Sequence, residues 1–275
     1  MADNALGDYL RARREAVRPG DVGLRADGHR RRVVGLRREE VAVLAGISAE
    51  YYLRLEQGRE RHPSDQVVGG LVAALHLGPS AEEFLHRLAR DRPDRGDLPA
   101  MHPEEVERLD RFVQALVAPA LVHDRVLDVV ASNGPARALS PAFTPGVNLM
   151  TAAFEDEDLR RLYVDWEEMT VRLVSYLRAQ AAAPPLDPRL PGLVRGLSER
   201  SPRFAALWAR QDVEARSTGV NRLAHPVVGP IELHFERLCM AGTDHPVVVV
   251  YHAERGSQSE AALALLGSVV PTASA

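Results

Sequence analysis

The stretch from residue 35 to residue 58, GLRREEVAVLAGISAEYYLRLEQG, restricts the fold more than any other part of the chain. It holds two amphipathic runs, 37–45 and 48–57, each too short to persist as a helix alone in water. Packing must hold them, and the residues between them indicate that they hold each other. Ala42 falls where the first helix crosses the second, and only a small side chain permits that approach. Gly46 can take the positive φ that ends the first helix, Ile47 plugs the corner, and Ser48 caps the second. Tyr52 and Leu55 then point inward. Ser48, Ala49, Glu50, Tyr51 and Arg54 are left on the outer face, the face that a recognition helix lays in the major groove of DNA. Any helical hairpin can use a glycine turn and a serine cap; the complete set in a basic setting is what points to DNA.

That setting shows only when charge is read locally. The chain of 275 residues carries −4 overall, which argues against a nucleic-acid partner. Residues 1–90, however, hold 15 Arg against 13 acids, and the span 11–61 holds 13 Arg against 8. The positive charge lies around the opening motif, where a phosphate backbone attracts it. Arg37 and Arg38, at the start of the first helix, suit phosphate as planar forks. Arg30, Arg31 and Arg32 form either a solvated charge run or an arm along the DNA backbone.

The length predicts two domains. The break falls at 91–103, DRPDRGDLPAMHP, where prolines, a glycine and charges interrupt helical periodicity. Before it, 6–17, 37–45, 48–57, 65–77 and 81–90 read as five short helices, with Ser48, Ser64 and Ser80 as N-caps. After it, 103–117 reads as a helix with proline in its first turn, and 159–177 as one amphipathic helix. IELHF at 231–235, PVVVVYH at 246–252 and VLDVVAS at 126–132 read as strands. An apolar helix from about residue 257 closes the sequence. The expected fold is thus an all-α five-helix domain over 4–90, a linker, and an α+β domain over 104–270.

REEVAVLAGISAEYYLRLEQG resembles the lambda-repressor-like, Xre-type helix-turn-helix domain, over roughly residues 4–90. In that family an arginine of the first helix pairs with the glutamate before the final glycine of the motif. The resemblance assigns these roles to Arg14 and Glu56, a pair that sets geometry more than stability. The chain departs from the family in having Arg37-Arg38 where Ser-Gln often opens the second helix, and in a longer loop over 18–35. Downstream, VLDVVASN, LWARQDV, HPVVGPIEL, YHAERGS and ALALL occur in the order of the MmyB-like ligand-binding domain. Together the two resemblances imply a one-component transcription factor. They further imply a PAS-like C-terminal fold holding a fatty acid or similar lipophile. A single module of this size reads only a few base pairs, so a homodimer on an inverted-repeat operator is expected.

The residues allow that reading without requiring it. Ile231, Leu233 and Phe235 share a strand face that Trp166, Leu173 and Leu177, or Phe204, Leu207 and Trp208, could roof. Such spacings serve a plain core as well as a pocket. Arg172 either reaches a carboxylate head or lies on a solvated helix face. A second reading leaves the C-terminal domain to dimerisation or protein contact alone. His225, His234, His245, His252 and Cys239 do not have metal-ligand or catalytic spacing, and no HExxH, phosphate-cradling glycine loop or nucleophile elbow occurs. The expectation is a non-enzyme without cofactor or metal. No charged-then-apolar leader and no run long enough to span a bilayer occurs. With a lone cysteine, this gives a cytoplasmic expectation.

Overall fold

The computed structural model describes residues 4–24, 33–90, 101–181, 187–239 and 246–269. The N-terminal unit is five helices: α1 (Ala5–Ala16), α2 (Arg38–Leu44), α3 (Ala49–Glu56), α4 (Asp65–Ala74) and α5 (Pro79–Ala89). α2 and α3 pack as the motif requires: Ala42, Tyr52 and Leu55 are buried in one core with Tyr9, Leu10 and Leu71. Gly46 has φ +68°, and the Ile47 amide closes the corner on the Ala42 carbonyl at 2.9 Å. α1 crosses α3 so closely that a Cβ on Gly7 would lie 2.3 Å from the Glu56 carbonyl oxygen.

Serine caps act at two of the three expected sites. Ser48 Oγ accepts from the Tyr51 amide and Ser64 Oγ from the Val67 amide. Ser80 does not cap: Pro79 starts α5, and Gly78 is its N-cap. The helix opening at Arg38 has no serine either; Glu40 supplies the cap by accepting from the Arg37 amide at 2.6 Å.

The linker expected at 91–103 lies mostly outside the described residues. α6 (Pro103–Gln114) then leads into five strands, β1 (Ala120–His123), β2 (Val129–Ser132), β3 (Thr218–His225), β4 (Gly229–Cys239) and β5 (Val247–His252). They form one antiparallel sheet in the order β2-β1-β5-β4-β3. Between β2 and β3 run α7 (Gly134–Leu139), α8 (Leu149–Glu155), α9 (Glu157–Leu162), α10 (Trp166–Ala181), α11 (Leu190–Arg200) and α12 (Pro202–Ala209); α13 (Gln258–Val269) ends the unit. The two-residue alternation of β1 divides the sheet's faces. Ala120 and Val122 meet Leu109 and Val113 of α6, whereas Leu121 joins the larger core on the opposite face.

The single helix expected over 159–177 is two. The chain leaves α9 at Tyr163, which bridges to Leu223, and the Val164 amide donates to the Arg222 carbonyl at 2.9 Å. β3 is an edge strand, so these bonds satisfy backbone groups that no sixth strand pairs. The strand expected over 126–132 begins only at Val129, because Leu127 (φ +69°) and the Asp124 carboxylate, accepting from the Val126 and Asp128 amides, shape a turn before it.

Candidate DNA interface and effector pocket

The outer face of α3 carries Ser48, Ala49, Glu50 and Arg54, all exposed, beside a half-buried Tyr51. Tyr51 packs against the unit's core, and the Arg54 guanidinium lies 5.5 Å from its ring centroid. Burial, and then Glu60, push the Tyr51 phenol up, so it stays neutral at physiological pH. The ring is a shelf that holds Arg54 outward. Arg37, the N-cap of α2, is exposed.

Arg38 is committed elsewhere. Its Nε lies 2.6 Å from Glu56 Oε2, while Arg14 Nε lies 2.6 Å from Glu56 Oε1. The expected Arg14–Glu56 pair is therefore a triad with the carboxylate between two guanidiniums. Arg14 Nη1 also donates to the Leu36 carbonyl at 3.0 Å, which ties the start of α2 to α1. Arg30, Arg31 and Arg32 lie outside the described residues.

Arg54→Ala should cost about 1–3 kcal/mol on a selected operator and relax base preference at the position it reads. Arg37→Ala should weaken all sequences alike and lower the salt-dependence slope by about one. Titrations over a salt series on selected and random DNA separate the two; equal loss on both DNAs for Arg54→Ala would defeat the base-reading role.

The C-terminal unit contains a pocket between the sheet and helices α8, α9 and α10. It is partly open to solvent. Its walls are largely apolar: Leu121, Val249 and Tyr251 from the sheet, Leu149 and Ala153 from α8, Leu159 from α9, Met169 and Leu173 from α10. Polar groups gather at Arg172, Glu214, Arg216, Asn221, His123 and Arg237.

Of the residues expected to hold a lipophile, Arg172, Leu173 and Phe235 line this pocket. Ile231 and Leu233 do not; they are buried in the main core. Leu177, Phe204 and Leu207 are buried in a separate cluster, against which Trp208 packs. Trp166 donates Nε1 to the Ala153 carbonyl at 2.8 Å, with Arg160 and Arg203 on its ring. These six residues and Trp166 fill space between elements, the ordinary use of large apolar side chains. Arg172 reaches the Asn221 side chain at 3.3 Å and Glu168 at 3.9 Å, so it lies at the wall rather than on a solvated face.

Arg237 was not singled out, although β4's alternation places it on the face of Ile231, Leu233 and Phe235, two residues further along. Its guanidinium lies 4.1 Å from the Tyr176 ring centroid and 5.1 Å from that of Phe235. Nη1 donates to the Arg216 carbonyl at 2.9 Å. Its buried Nε has no hydrogen-bond partner, and no carboxylate pairs with Arg237 among the described residues. Burial pulls its pKa below the usual guanidinium range, partly offset by Tyr176, Tyr251 and Tyr163. His123, beside it in the lining, is held down to about 4 by burial and stays neutral. Arg172, Arg216 and Arg237 thus outnumber Glu214, the one acidic side chain of the lining, and the polar end of the pocket favours an anion.

Among the described residues no group of three or more His, Cys, Asp or Glu side chains could hold a metal ion. His225 ends β3 and bonds the Ala138 carbonyl at 3.0 Å, whereas His234 and His252 stack on each other at 5.3 Å. His245 lies outside the described residues. Among the described residues no helix is long and apolar enough to cross a membrane.

Comparison with known families gives two matches. Residues 5–85 match a helix-turn-helix domain, and residues 106–266 match the MmyB-like transcription regulator ligand binding domain. No curated protein matches the chain.

Proposed function

Because the chain belongs to the MmyB-like transcription regulators, we propose that it is a one-component switch whose C-terminal unit, PAS-like in architecture, binds an acidic lipophile of the fatty-acid class. One observation carries this reading: a half-buried arginine, Arg237, whose buried Nε has no hydrogen-bond partner and which no carboxylate pairs among the described residues, at the polar end of an apolar pocket. A guanidinium with a buried, unsatisfied Nε and no carboxylate beside it is costly, and a ligand that brings a carboxylate on an apolar chain compensates it while filling the rest of the space. The helix-turn-helix unit reads DNA through α3. A module of this size reads few base pairs, so we further propose a cytoplasmic homodimer on an inverted repeat, with half-sites about 34 Å apart or a multiple of that distance. Phe112 and Val117, apolar and exposed around the end of α6, support a face for the second copy.

Native mass spectrometry of the purified chain, followed by palmitate titration of the lipid-free protein, tests the reading. Palmitate should bind and change operator affinity at least tenfold, about 1.4 kcal/mol of coupling. Sedimentation should show a dimer on DNA. A folded, lipid-free chain that neither binds palmitate nor changes its operator affinity would instead assign the C-terminal unit to dimerisation or protein contact.

A further inference from the structure

The two units touch between α5 and α10, where Arg87 Nη1 donates to the Ala179 carbonyl at 3.3 Å, and through a short connection, residues 211–216, that runs from α12 to β3. The Arg178 guanidinium of α10 fixes its start: Nη1 donates to Gln211 Oε1 at 2.5 Å, Nη2 donates to the Trp208 carbonyl, and the group stacks on the Trp208 ring at 3.7 Å. Asp212 then reaches into the N-terminal unit, with Oδ1 2.7 Å from Arg13 Nη1 on α1. Val213 packs against that unit's core. Glu214 and Arg216 turn the other way and line the effector pocket, paired to each other at 2.5 Å. Between them the Ala215 amide donates to Ser80 Oγ on α5 at 3.3 Å. The end of the connection is held by Arg237, through Nη1 to the Arg216 carbonyl and through its amide to the Ser217 carbonyl.

This segment therefore touches the pocket and the DNA-binding unit within six residues. We propose that residues 211–216 are a clasp that an anion in the pocket loosens, so that effector occupancy is communicated to α1 and α5. The proposal rests on the acidic-ligand reading above. A carboxylate at the polar end competes with Glu214 for the Arg216 guanidinium and with the Arg216 carbonyl for Arg237 Nη1. Both exchanges displace the pocket side of the clasp, and an extended segment this short cannot shift one side while Asp212 and Ala215 keep their bonds on the other. The clasp grips α1 and α5, whereas Ser48, Glu50 and Arg54 remain exposed on α3. Loosening therefore does not uncover the DNA-reading face; it frees the orientation of that face, which decides whether two copies fit two half-sites. Ser80, which the sequence offers as a helix cap, takes this role because Gly78 and Pro79 already begin the helix.

The test uses the full chain, an operator selected from random DNA, palmitate as the probe, and amide hydrogen exchange. Palmitate should speed exchange of the Ala215 amide at least tenfold and shift operator affinity at least tenfold. The double variant Asp212→Asn/Ser80→Ala leaves every pocket residue in place; it should bind palmitate within threefold of the parent yet keep less than a threefold operator shift. A tenfold shift retained by that variant while it binds palmitate overturns the clasp. If palmitate fails to bind the parent chain, the acidic-lipophile reading fails, and Glu214→Gln tests the clasp by itself. Releasing Arg216 from the pocket side should then speed Ala215 exchange at least tenfold, and unchanged exchange overturns the proposal.

Discussion

Glu56→Ala is expected to destabilise the DNA-binding unit by about 3–5 kcal/mol, the range for removing one partner of a buried ion pair. The Glu56 side chain is 0% exposed and Arg14 only 7%. Burial by itself would raise the Glu56 pKa; hydrogen bonds and charge from Arg14 and Arg38 outweigh it, and the pKa is lowered. Removing the carboxylate leaves buried Arg14 with only the longer 3.4 Å contact to exposed Glu15, whereas half-exposed Arg38 can turn to water. Arg38→Ala should therefore cost less than Arg14→Ala. The sign with pH follows. A carboxyl depressed in the folded state contributes stability above its unfolded pKa, and that contribution is lost as pH falls through the folded value. Both tryptophans, Trp166 and Trp208, lie in the C-terminal unit, so unfolding of the helical unit is followed by circular dichroism rather than tryptophan emission. A loss under 1 kcal/mol for Glu56→Ala would show that water already reaches the triad.

Arg237→Met should lower palmitate affinity about 10- to 100-fold, as expected for losing a charged hydrogen bond of roughly 1.5–3 kcal/mol. Methionine keeps much of the stem volume against Tyr176 and Phe235. Hexadecanol, with the same chain and no charge, should bind parent and variant alike within threefold. The comparison isolates charge from shape. Equal losses for acid and alcohol would mean that Arg237 shapes the pocket without recognising an anion.

How much was legible differs between the units for a physical reason. The helix-turn-helix is written in local signals: a glycine that takes φ +68°, a serine that caps, an alanine at a crossing, each acting within a few residues of itself. Arg14 and Glu56 are paired in the sequence only by resemblance, and the bond of Arg38 Nε to Glu56, which spans 18 residues, has no local signal. In the C-terminal unit, periodicity identified strand β4 and the apolar helices but could not separate lining from core. Leu233 and Phe235 share one face of one strand, yet only Phe235 borders the cavity. That distinction depends on which helix lies opposite, and nothing local encodes it. Arg237 was within reach, since continuing the alternation of IELHF by two residues arrives at it. Glu214 and Arg216 were not, because only the fold brings the connection before β3 to the pocket's edge.

The close crossing at Gly7 gives the clasp its mechanical meaning. With the backbones of α1 and α3 nearly in contact and the Arg14–Glu56–Arg38 bonds spanning the same junction, the two helices have no room to slide or tilt separately. Arg13 and Arg54 therefore stand on one stiff beam, the first at the handle that Asp212 grips and the second at the working tip. In the proposed clasp, a small rotation at the handle would be carried to the tip, so that a displacement at the pocket would change the unit's aim. A larger residue at position 7 would meet the Glu56 carbonyl and force the two helices of the beam apart.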